Sequence, residues 1–260
     1  MKLGVIGFGN MGSAIVDGLL YKNIMKNQDI YAYSRNQEKL KENCLKRHIN
    51  LCTNILDLIK SVDVIIISTP SIIFKNVINE IKDFAKNKII ISVCSGANLE
   101  IAQSIFKEIH FIQTIPSTPI RYGEGILICD QKHSLNKEEL IIVDSLFQNI
   151  SLVKFVNSEL LDIASTLSGC GPAFIVMLIE ALGDAGCKYG LDRKTSYELV
   201  SKMLIGTGTS YLKSQKHPAE LKDEVTSPGG TTILGVTKLE ECGFRNSLIK
   251  AIDAISKREK

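Results

Sequence analysis

A glycine-rich motif close to the N-terminus constrains the fold of this chain more than any other feature. The motif residues are Gly7, Phe8, Gly9, Asn10, Met11 and Gly12. They follow an apolar strand pattern, Leu3–Ile6, and precede a segment with helical periodicity, which is the context in which Gly-x-Gly-x-x-Gly binds a dinucleotide. The first glycine permits a tight turn, the second lets a pyrophosphate approach the backbone, and the third allows the helix to pack against the strand. We therefore predict a dinucleotide site here, with phosphate on the helix N-terminus.

Short apolar segments alternate with helix-length segments over the first half of the chain. Further strands are predicted at Ile30–Tyr33, Val62–Ser68, Lys88–Val93, Phe111–Ile115 and Gly125–Cys129. Strands that are apolar on both faces and separated by helices are typical of a parallel sheet covered by helices. The fold class is therefore predicted to be α/β, with an N-terminal Rossmann-like doubly wound sheet over residues 1–155.

The remaining residues, 156–260, are predicted to form an all-helical domain. The predicted helices are Ala173–Ala185, Arg193–Leu212, Pro218–Val225, Thr232–Glu241 and Arg245–Lys257. Within the first of them, Phe174–Leu182 is apolar on nearly every side, and such a helix must be buried all round. It is either the centre of an ordinary bundle or part of a bundle that a second subunit completes. Because so short a domain offers few neighbours, we favour a homodimer formed by this domain.

Composition excludes several classes of function. Lys and Arg total 31 against 28 Asp and Glu, a net charge of +3, and without a basic run this does not indicate a nucleic-acid binder. The seven cysteines form no Cys-x-x-Cys pair and the four histidines are scattered, so reduced thiols in the cytoplasm are expected, and a metal site is not. No signal-peptide core and no apolar run of about 18–20 residues is apparent, so no membrane span is expected.

The residues after the second predicted strand indicate which dinucleotide is bound. An NAD site usually has Asp or Glu at this point to bind the ribose 2′-hydroxyl. Here Ser34 and Arg35 follow Tyr33, and they offer a hydroxyl and a planar cation that suit a 2′-phosphate. The alternative is that Arg35 is only a solvated surface residue. We predict NADP(H), with NAD(H) bound more weakly.

Two further glycine-rich segments lie in the helical domain. Ser227–Thr232, Ser-Pro-Gly-Gly-Thr-Thr, combines open backbone with hydroxyls at a helix start, so it suits a carboxylate or phosphate as well as it suits a plain capped turn. Leu167–Ala173 contains Cys170 between two glycines. No histidine is near Cys170 in the sequence, so we interpret this thiol as a small packing residue rather than a nucleophile.

The chain resembles the pyrroline-5-carboxylate reductases over nearly its whole length. The most specific matching segments are Glu220–Ile233 (Glu-Leu-Lys-Asp-Glu-Val-Thr-Ser-Pro-Gly-Gly-Thr-Thr-Ile) and Leu239–Arg245, and Ser168–Phe174 and His217-Pro218 fit as well. The resemblance implies a Rossmann domain, an interlocked helical dimerisation domain and, frequently, rings of dimers. It also implies hydride transfer from NADPH to a cyclic imine, which forms L-proline in the last step of proline biosynthesis.

The resemblance also implies a set of site residues. Substrate carboxylate would lie on the backbone of Gly229, Gly230 and Thr231. Thr232 would hydrogen-bond near the ring nitrogen, and Val225 and Ser165 would line the pocket. Besides the glycine motif, Ser34 and Arg35, the cofactor would contact Ser68, Thr69, Pro70 and Cys94.

The chain departs from the family pattern at three places. Ser68-Thr69-Pro70 stands where Val-Lys-Pro is usual, which removes a cation near the cofactor. Ser117 stands in Pro116–Pro119 where asparagine is usual, and Cys170 stands where serine is common. These differences bear on cofactor affinity more than on the reaction, because the carboxylate loop is intact.

Two alternatives to this function stay open at the level of sequence. Another NADP-dependent reductase, of the β-hydroxyacid or imine reductase kind, would share the N-terminal half. Such enzymes usually carry a catalytic lysine on the first helix after the Rossmann domain, and Gly171–Ala185 contains no lysine. A nucleotide-sensing paralogue with weak catalysis is the second alternative, suggested by the substitutions at Ser68 and Ser117.

Overall fold

The computed structural model describes residues 1–256, which form two compact units, one from Met1 to Gly169 and the other from Cys170 onward. The first unit contains one eight-stranded sheet. Its strands are β1 (Leu3–Ile6), β2 (Ile30–Tyr33), β3 (Asn50–Leu51), β4 (Val64–Ile67), β5 (Ile89–Ser92), β6 (His110–Pro116), β7 (Gly125–Asp130) and β8 (Ser151–Val156).

The order of the strands creates a crevice at the centre of the sheet. The order is β3-β2-β1-β4-β5-β6-β7-β8, with β1 to β6 parallel, β7 antiparallel to β6, and β8 parallel to β7. The chain leaves β1 on one side to form β2 and β3, then crosses to the other side to form β4. Ligands of doubly wound sheets bind at such a reversal, outside the carboxyl ends of the strands. That position here lies beyond Ile6 and Ile67.

Both faces of the sheet are covered by helices. These are α1 (Asn10–Tyr21), α2 (Gln37–Arg47), α3 (Ile55–Ser61), α4 (Phe74–Ile81), α5 (Leu99–Ile105), α6 (Lys137–Phe147) and α7 (Leu161–Ser165). Along β4, Val64 and Ile66 join one hydrophobic cluster, with Ile15 of α1, while Ile65 and Ile67 join the other. Burial on both faces explains why the strands are continuous apolar runs.

Asparagine side chains begin four of these helices. Asn36, Asn54, Asn98 and Asn136 each accept a hydrogen bond from the backbone N–H three residues later. Such caps satisfy backbone donors that a helix N-terminus leaves free. By contrast, α1 begins after Gly9 and has no side-chain cap. Its first N–H groups are therefore left available beside the crevice.

The second unit is entirely helical over its described residues. Its helices are α8 (Gly171–Lys188), α9 (Arg193–Ser214), α10 (Pro218–Glu224), α11 (Thr231–Glu241) and α12 (Phe244–Ser256). The predicted helices are confirmed to within a few residues, and Lys257 of the last prediction lies outside the described residues. Of the residues from Cys170 to Ser256, only Gly183 and Ser196 are buried.

The apolar segment of α8 is exposed in a single chain. Val176 and Met177 are 62% and 67% exposed. The interpretation of Phe174–Leu182 as the centre of a one-chain bundle is therefore wrong, since α8 is left largely uncovered. Among the described residues, Ser158–Lys188 forms one helical stretch that is long and apolar enough to cross a bilayer by length and composition alone. The sequence prediction of no membrane span considered only uninterrupted apolar runs, and it stays a prediction.

The sheet differs from the prediction in two respects. Two strands were not predicted: β3, which has only two residues, and β8, whose Lys154 interrupts its apolar pattern. The sheet is also not wholly parallel, because β6 and β7 are joined antiparallel through a short 3₁₀ segment, Thr118–Tyr122. That connection is too short for the crossover that parallel strands require.

Candidate functional site

The glycine motif forms the tight turn between β1 and α1. Gly7 has a φ of 93°, a value that favours glycine, and its N–H donates to the carbonyl of Tyr33 at 2.8 Å. A Cβ at Gly7 would lie 2.5 Å from the carbonyl oxygen of Ser68, and one at Gly12 would collide with the carbonyl oxygen of Gly7. A Cβ at Gly9 would meet no atom within 4 Å. The turn is thus packed at its two ends and open in the middle, where a diphosphate would approach.

A cleft of about 340 Å³ lies over this turn, at the reversal of the strand order. The predicted cofactor residues on its wall are Gly7, Phe8, Gly9, Ser34, Arg35, Ser68, Thr69 and Pro70. The other predicted residues lie elsewhere: Asn10 is exposed in the first turn of α1, Met11 packs against the core, and Gly12 is buried under the turn. The motif therefore supplies both the lining and the support of the cleft.

Cys94 lies behind the cleft rather than on its wall. Its Sγ is 3.0 Å from the carbonyl oxygen of Thr69, to which the thiol donates. The side chain is 3% exposed, and its backbone N–H donates to Ser92 Oγ at 3.2 Å. Cys94 thus supports the Ser68–Pro70 segment from below.

The wall of the cleft also contains residues that the sequence analysis did not select. Asn76 and Glu80 of α4 line it, as do Tyr33 and Ile55. Asn76 and Glu80 are one helical turn apart, so they share a face of α4. This spacing alone is a weak signal in the sequence. It becomes informative only once α4 is known to lie beside the crevice.

The end of β2 presents two polar side chains to the cleft. Gln37 donates from Nε2 to the Ser34 carbonyl at 2.8 Å, and Asn36 caps α2, so the turn after Tyr33 is held in place. Arg35 is exposed, and the described residues offer its guanidinium no ion pair or hydrogen bond. A planar cation on a cleft wall with all its donors free can bind an anion bidentately.

In the second unit, Ser227–Gly230 forms a turn that leads into α11. Gly229 has a φ of 69° and open space around it, whereas Gly230 has an ordinary φ and caps α11 without a side-chain bond. The Gly230 N–H donates to the Ser227 carbonyl at 3.0 Å. The first N–H groups of α11 are therefore free and point out of the helix, which suits a bound anion.

The predicted substrate residues are divided between the units. Val225 is 66% exposed, and Thr231 and Thr232 are exposed in the first turn of α11. Ser165 belongs to the first unit, where it is the last residue of α7 and is half-buried.

The residues that the structure describes contain no group of three or more His, Cys, Asp or Glu side chains able to hold a metal ion. All seven cysteines are free, and Cys170 is exposed at the start of α8. Burial raises the pKa of the Cys44 thiol to about 11 and that of Cys129 to about 12. These two buried thiols are therefore protonated at neutral pH and poorly suited to nucleophilic chemistry.

Comparison with known families matches both parts of the chain. Residues 158–260 match the family model described as pyrroline-5-carboxylate reductase dimerisation. Residues 2–96 match the model described as NADP oxidoreductase, coenzyme F420-dependent.

Curated relatives match over the full length. The pyrroline-5-carboxylate reductase of Treponema pallidum is 33% identical, with 98% of each chain covered. That of Arabidopsis thaliana is 34% identical, with 100% of this chain and 94% of the relative covered.

Solved structures agree with these matches. Plasmodium falciparum pyrroline carboxylate reductase with NADP bound superposes with a TM-score of 0.84 at 31% identity, covering 98% of this chain and 95% of that one. The enzyme from Coxiella burnetii gives a TM-score of 0.86 at 27% identity, with the same coverage. Prephenate dehydrogenase from Aquifex aeolicus, at 16% identity and a TM-score of 0.56, shares the fold alone.

Proposed function

Because this chain belongs to the pyrroline-5-carboxylate reductase family, we propose that it reduces 1-pyrroline-5-carboxylate to L-proline with NADPH. The observation that carries this proposal is the full-length similarity to reductases of that name, at up to 34% identity. It is an oxidoreductase of proline biosynthesis that acts on a C=N bond. The similarity covers both units, so it includes the Ser227–Gly230 turn proposed to hold the carboxylate as well as the dinucleotide cleft.

The first unit fits NADP(H). The open space above Gly9, the free N–H groups of α1 and the cleft beside them suit a diphosphate, and Arg35 with Ser34 suits the 2′-phosphate. When bound, NADPH supplies a hydride. The residues of the first unit bind and orient this hydride donor. NADH lacks the 2′-phosphate that Arg35 would hold.

In this proposal the second unit supplies all the substrate contacts except that of Ser165, which belongs to the first unit. The backbone of Gly229, Gly230 and Thr231 holds the carboxylate, and the hydroxyl of Thr232 hydrogen-bonds near the ring nitrogen. Val225 and Ser165 complete the lining. What supports the assignment is the uncapped N-terminus of α11 and the positive φ of Gly229, which keep the turn open.

The chemistry requires little from acid or base side chains. The imine C=N bond takes a hydride at carbon, its π electron pair passes to nitrogen, and the nitrogen keeps the proton of the iminium form. A protonated imine is already electrophilic, so the protein contributes mainly by orienting two reactants, an effect worth about 7–11 kcal/mol at best. Thr232 is the residue placed closest to the nitrogen in this scheme.

The enzyme is a homo-oligomer, because the second unit matches a dimerisation family and leaves its apolar helices uncovered in one chain. We propose a dimer as the smallest unit and a ring of dimers as the larger assembly. The exposed apolar stretch Ser158–Lys188 is then an interface between subunits rather than a membrane span. We further propose a cytoplasmic location, supported by seven free cysteines. We also propose a domain division at residues 155 and 156, at the end of β8, although the compact units divide at Gly169 and Cys170.

A direct assay tests the function. Purified protein is mixed with NADPH and 1-pyrroline-5-carboxylate, the loss of NADPH absorbance is followed, and proline is identified by mass spectrometry. Stoichiometric proline is expected. Turnover of a β-hydroxyacid or an acyclic imine with none of pyrroline-5-carboxylate would support the alternative reductase. NADPH binding without turnover of any of these would support the nucleotide-sensing alternative.

A further inference from the structure

Arg47, the last residue of α2, is held by a carboxylate on α1. Its Nε donates to Asp17 Oδ1 at 2.6 Å and one terminal nitrogen donates to Asp17 Oδ2 at 3.0 Å. The other terminal nitrogen donates to Asn43 Oδ1 at 2.8 Å. The Arg47 side chain is only 12% exposed. A bidentate pair whose arginine is largely buried fixes the guanidinium plane far better than a surface pair does.

The fixed guanidinium lies against the glycine motif. Its central carbon is 5.5 Å from the centroid of the Phe8 ring, within the range of a cation–π contact. Phe8 is 5% exposed and lies between Gly7 and Gly9. The Arg47 cluster, which comprises Arg47, Asp17, Asn43 and Phe8, therefore joins α1 and α2 to the loop on which a diphosphate would lie.

Arg47 differs from Arg35 in every respect that matters for ligand binding. Arg35 is exposed on the cleft wall without a partner among the described residues, whereas Arg47 is absent from that wall and its polar groups are already bonded. The first arginine is placed to contact a ligand, and the second is placed to hold the loop that does.

We propose that Arg47 is a positioning residue for the dinucleotide, acting through Phe8 on the backbone around Gly7 and Gly9. Glycine gives this loop conformational freedom, and ordering it costs affinity unless the free protein already holds it. The Arg47 cluster supplies that order before the cofactor arrives. The inference rests on the proposed function only where it concerns turnover, because the effect on cofactor binding is measured without substrate.

A distinct signature follows from this role. The diphosphate is common to NADPH and NADH, so a disordered loop weakens both cofactors by the same factor. Loss of a direct contact to the 2′-phosphate weakens NADPH alone. Cofactor affinity measured for both dinucleotides therefore separates a positioning residue from a phosphate ligand.

The test is Arg47→Met, which keeps the length of the side chain and removes its charge and hydrogen bonds. Dissociation constants for NADPH and NADH are measured by cofactor fluorescence without substrate. We expect both to rise about tenfold, in line with a partly desolvated cation–π contact. At saturating NADPH, kcat is expected to stay within about twofold of the parent, because positioning is restored once the cofactor is bound.

Additional variants separate positioning from general instability. Arg47→Met leaves the Asp17 carboxylate without its partner. The double variant Arg47→Met with Asp17→Asn removes that unpaired charge, and it must show the same rise in both dissociation constants. Arg47→Lys keeps a cation and must recover part of the affinity. The matched control is Arg193→Met in the second unit, whose guanidinium also pairs with a carboxylate, Asp184 at 2.6 Å, and lies 5.6 Å from an aromatic ring. That control must leave both dissociation constants unchanged.

A double-mutant cycle tests the route through Phe8. Phe8→Leu removes the ring, and Arg47→Met must then cost no further cofactor affinity, because in this proposal Arg47 acts on the loop only through that ring. Additive losses would overturn the proposal, as would unchanged affinities or a loss for NADPH alone. If the parent protein binds NADPH but does not reduce pyrroline-5-carboxylate, the proposed function fails while this inference is still decided by the binding data.

Discussion

The thiol of Cys94 donates to the carbonyl oxygen of Thr69 across 3.0 Å, and this bond joins the end of β5 to the segment that follows β4. Thr69 and Pro70 lie on the cleft wall, where the usual family lysine is missing. The segment therefore contributes shape rather than charge, and Cys94 is the side chain that holds it from behind.

Replacing Cys94 tests this support. Cys94→Ala removes the donor, and a hydrogen bond of about 0.5–1.5 kcal/mol corresponds to a twofold to tenfold rise in the dissociation constant of NADPH. Cys94→Ser keeps a donor and is expected to bind as the parent does. Fluorescence titration checks both variants, and equal affinity in Cys94→Ala would show that the Ser68–Pro70 segment holds its shape without the thiol.

Arg35→Ala is expected to weaken NADPH and leave NADH nearly unchanged. A charge-assisted pair to phosphate contributes about 1.5–3 kcal/mol, or tenfold to a hundredfold in affinity. The Michaelis constants for the two cofactors are the measurement, and NADH serves as the internal control. An equal loss for both would mean that Arg35 does not contact the 2′-phosphate.

Thr232→Ala is expected to lower turnover, whereas Thr232→Ser is expected to retain it. One hydrogen bond that orients the imine nitrogen contributes about 1–3 kcal/mol in the transition state, which is about tenfold to a hundredfold in rate. Steady-state kinetics with pyrroline-5-carboxylate checks the pair, and NADPH affinity is the control because the cofactor residues lie in the first unit. If both variants turn over the substrate at the parent rate, Thr232 has no catalytic role and is only a residue of the first turn of α11.

Met177→Asp is expected to weaken the assembly. This side chain is 67% exposed in one chain, and a carboxylate on an apolar interface costs about 2 kcal/mol or more, so the dimer dissociation constant rises at least tenfold. Sedimentation of the parent at micromolar concentration should give at least twice the mass of one chain. Lys194→Asp, at an exposed polar position of α9, is the control. A parent protein that is active as a monomer would contradict the assembly.

Stability is expected to fall at alkaline pH partly because of Cys129. Burial raises the pKa of this thiol to about 12 in the folded protein from 9.0 for the free group. Above pH 9 the unfolded chain binds fewer protons at this position, so the free energy of unfolding falls by about 1.4 kcal/mol per pH unit until the folded pKa is reached. Urea unfolding at pH 8 and pH 10 measures the slope. Cys129→Ala should remove this contribution, and an unchanged slope would contradict it.

The sequence predicts the elements of the first unit well, because strands that are buried on both faces are continuous apolar runs. The glycine turn was placed correctly, and so were the six strands that carry this signal, which are β1, β2, β4, β5, β6 and β7. β8 was missed because an edge strand needs only one apolar face, and Lys154 on β8 is exposed. The reversal of direction at β7 was missed because chain direction depends on the length of the connection rather than on strand composition.

The sequence predicts those residues of the candidate site that follow from backbone motifs. It predicts less well those residues whose place in the site depends on how helices and strands pack together. Gly7, Phe8, Gly9, Ser34 and Arg35 on the wall could be chosen from glycine spacing and from the end of β2, whereas Ser68–Pro70 was implied only by the family resemblance. Asn76 and Glu80 could not, because their relation to the cleft depends on how α4 packs. The Arg47 cluster likewise joins positions 8, 17 and 47, which no local pattern connects. The assigned roles of the substrate residues stay predictions.

The near absence of buried side chains in the helical unit has a consequence for how the protein folds. A unit with only Gly183 and Ser196 buried among its described residues has little core of its own, so in the proposed dimer most of its apolar burial would come from a second copy. Acquiring that core is then a bimolecular event, governed by mass action. Dilution alone would melt these helices, and the midpoint of thermal unfolding would climb with protein concentration. Newly synthesised chains would have to associate before the Ser227–Gly230 turn and the helices around it were held in place.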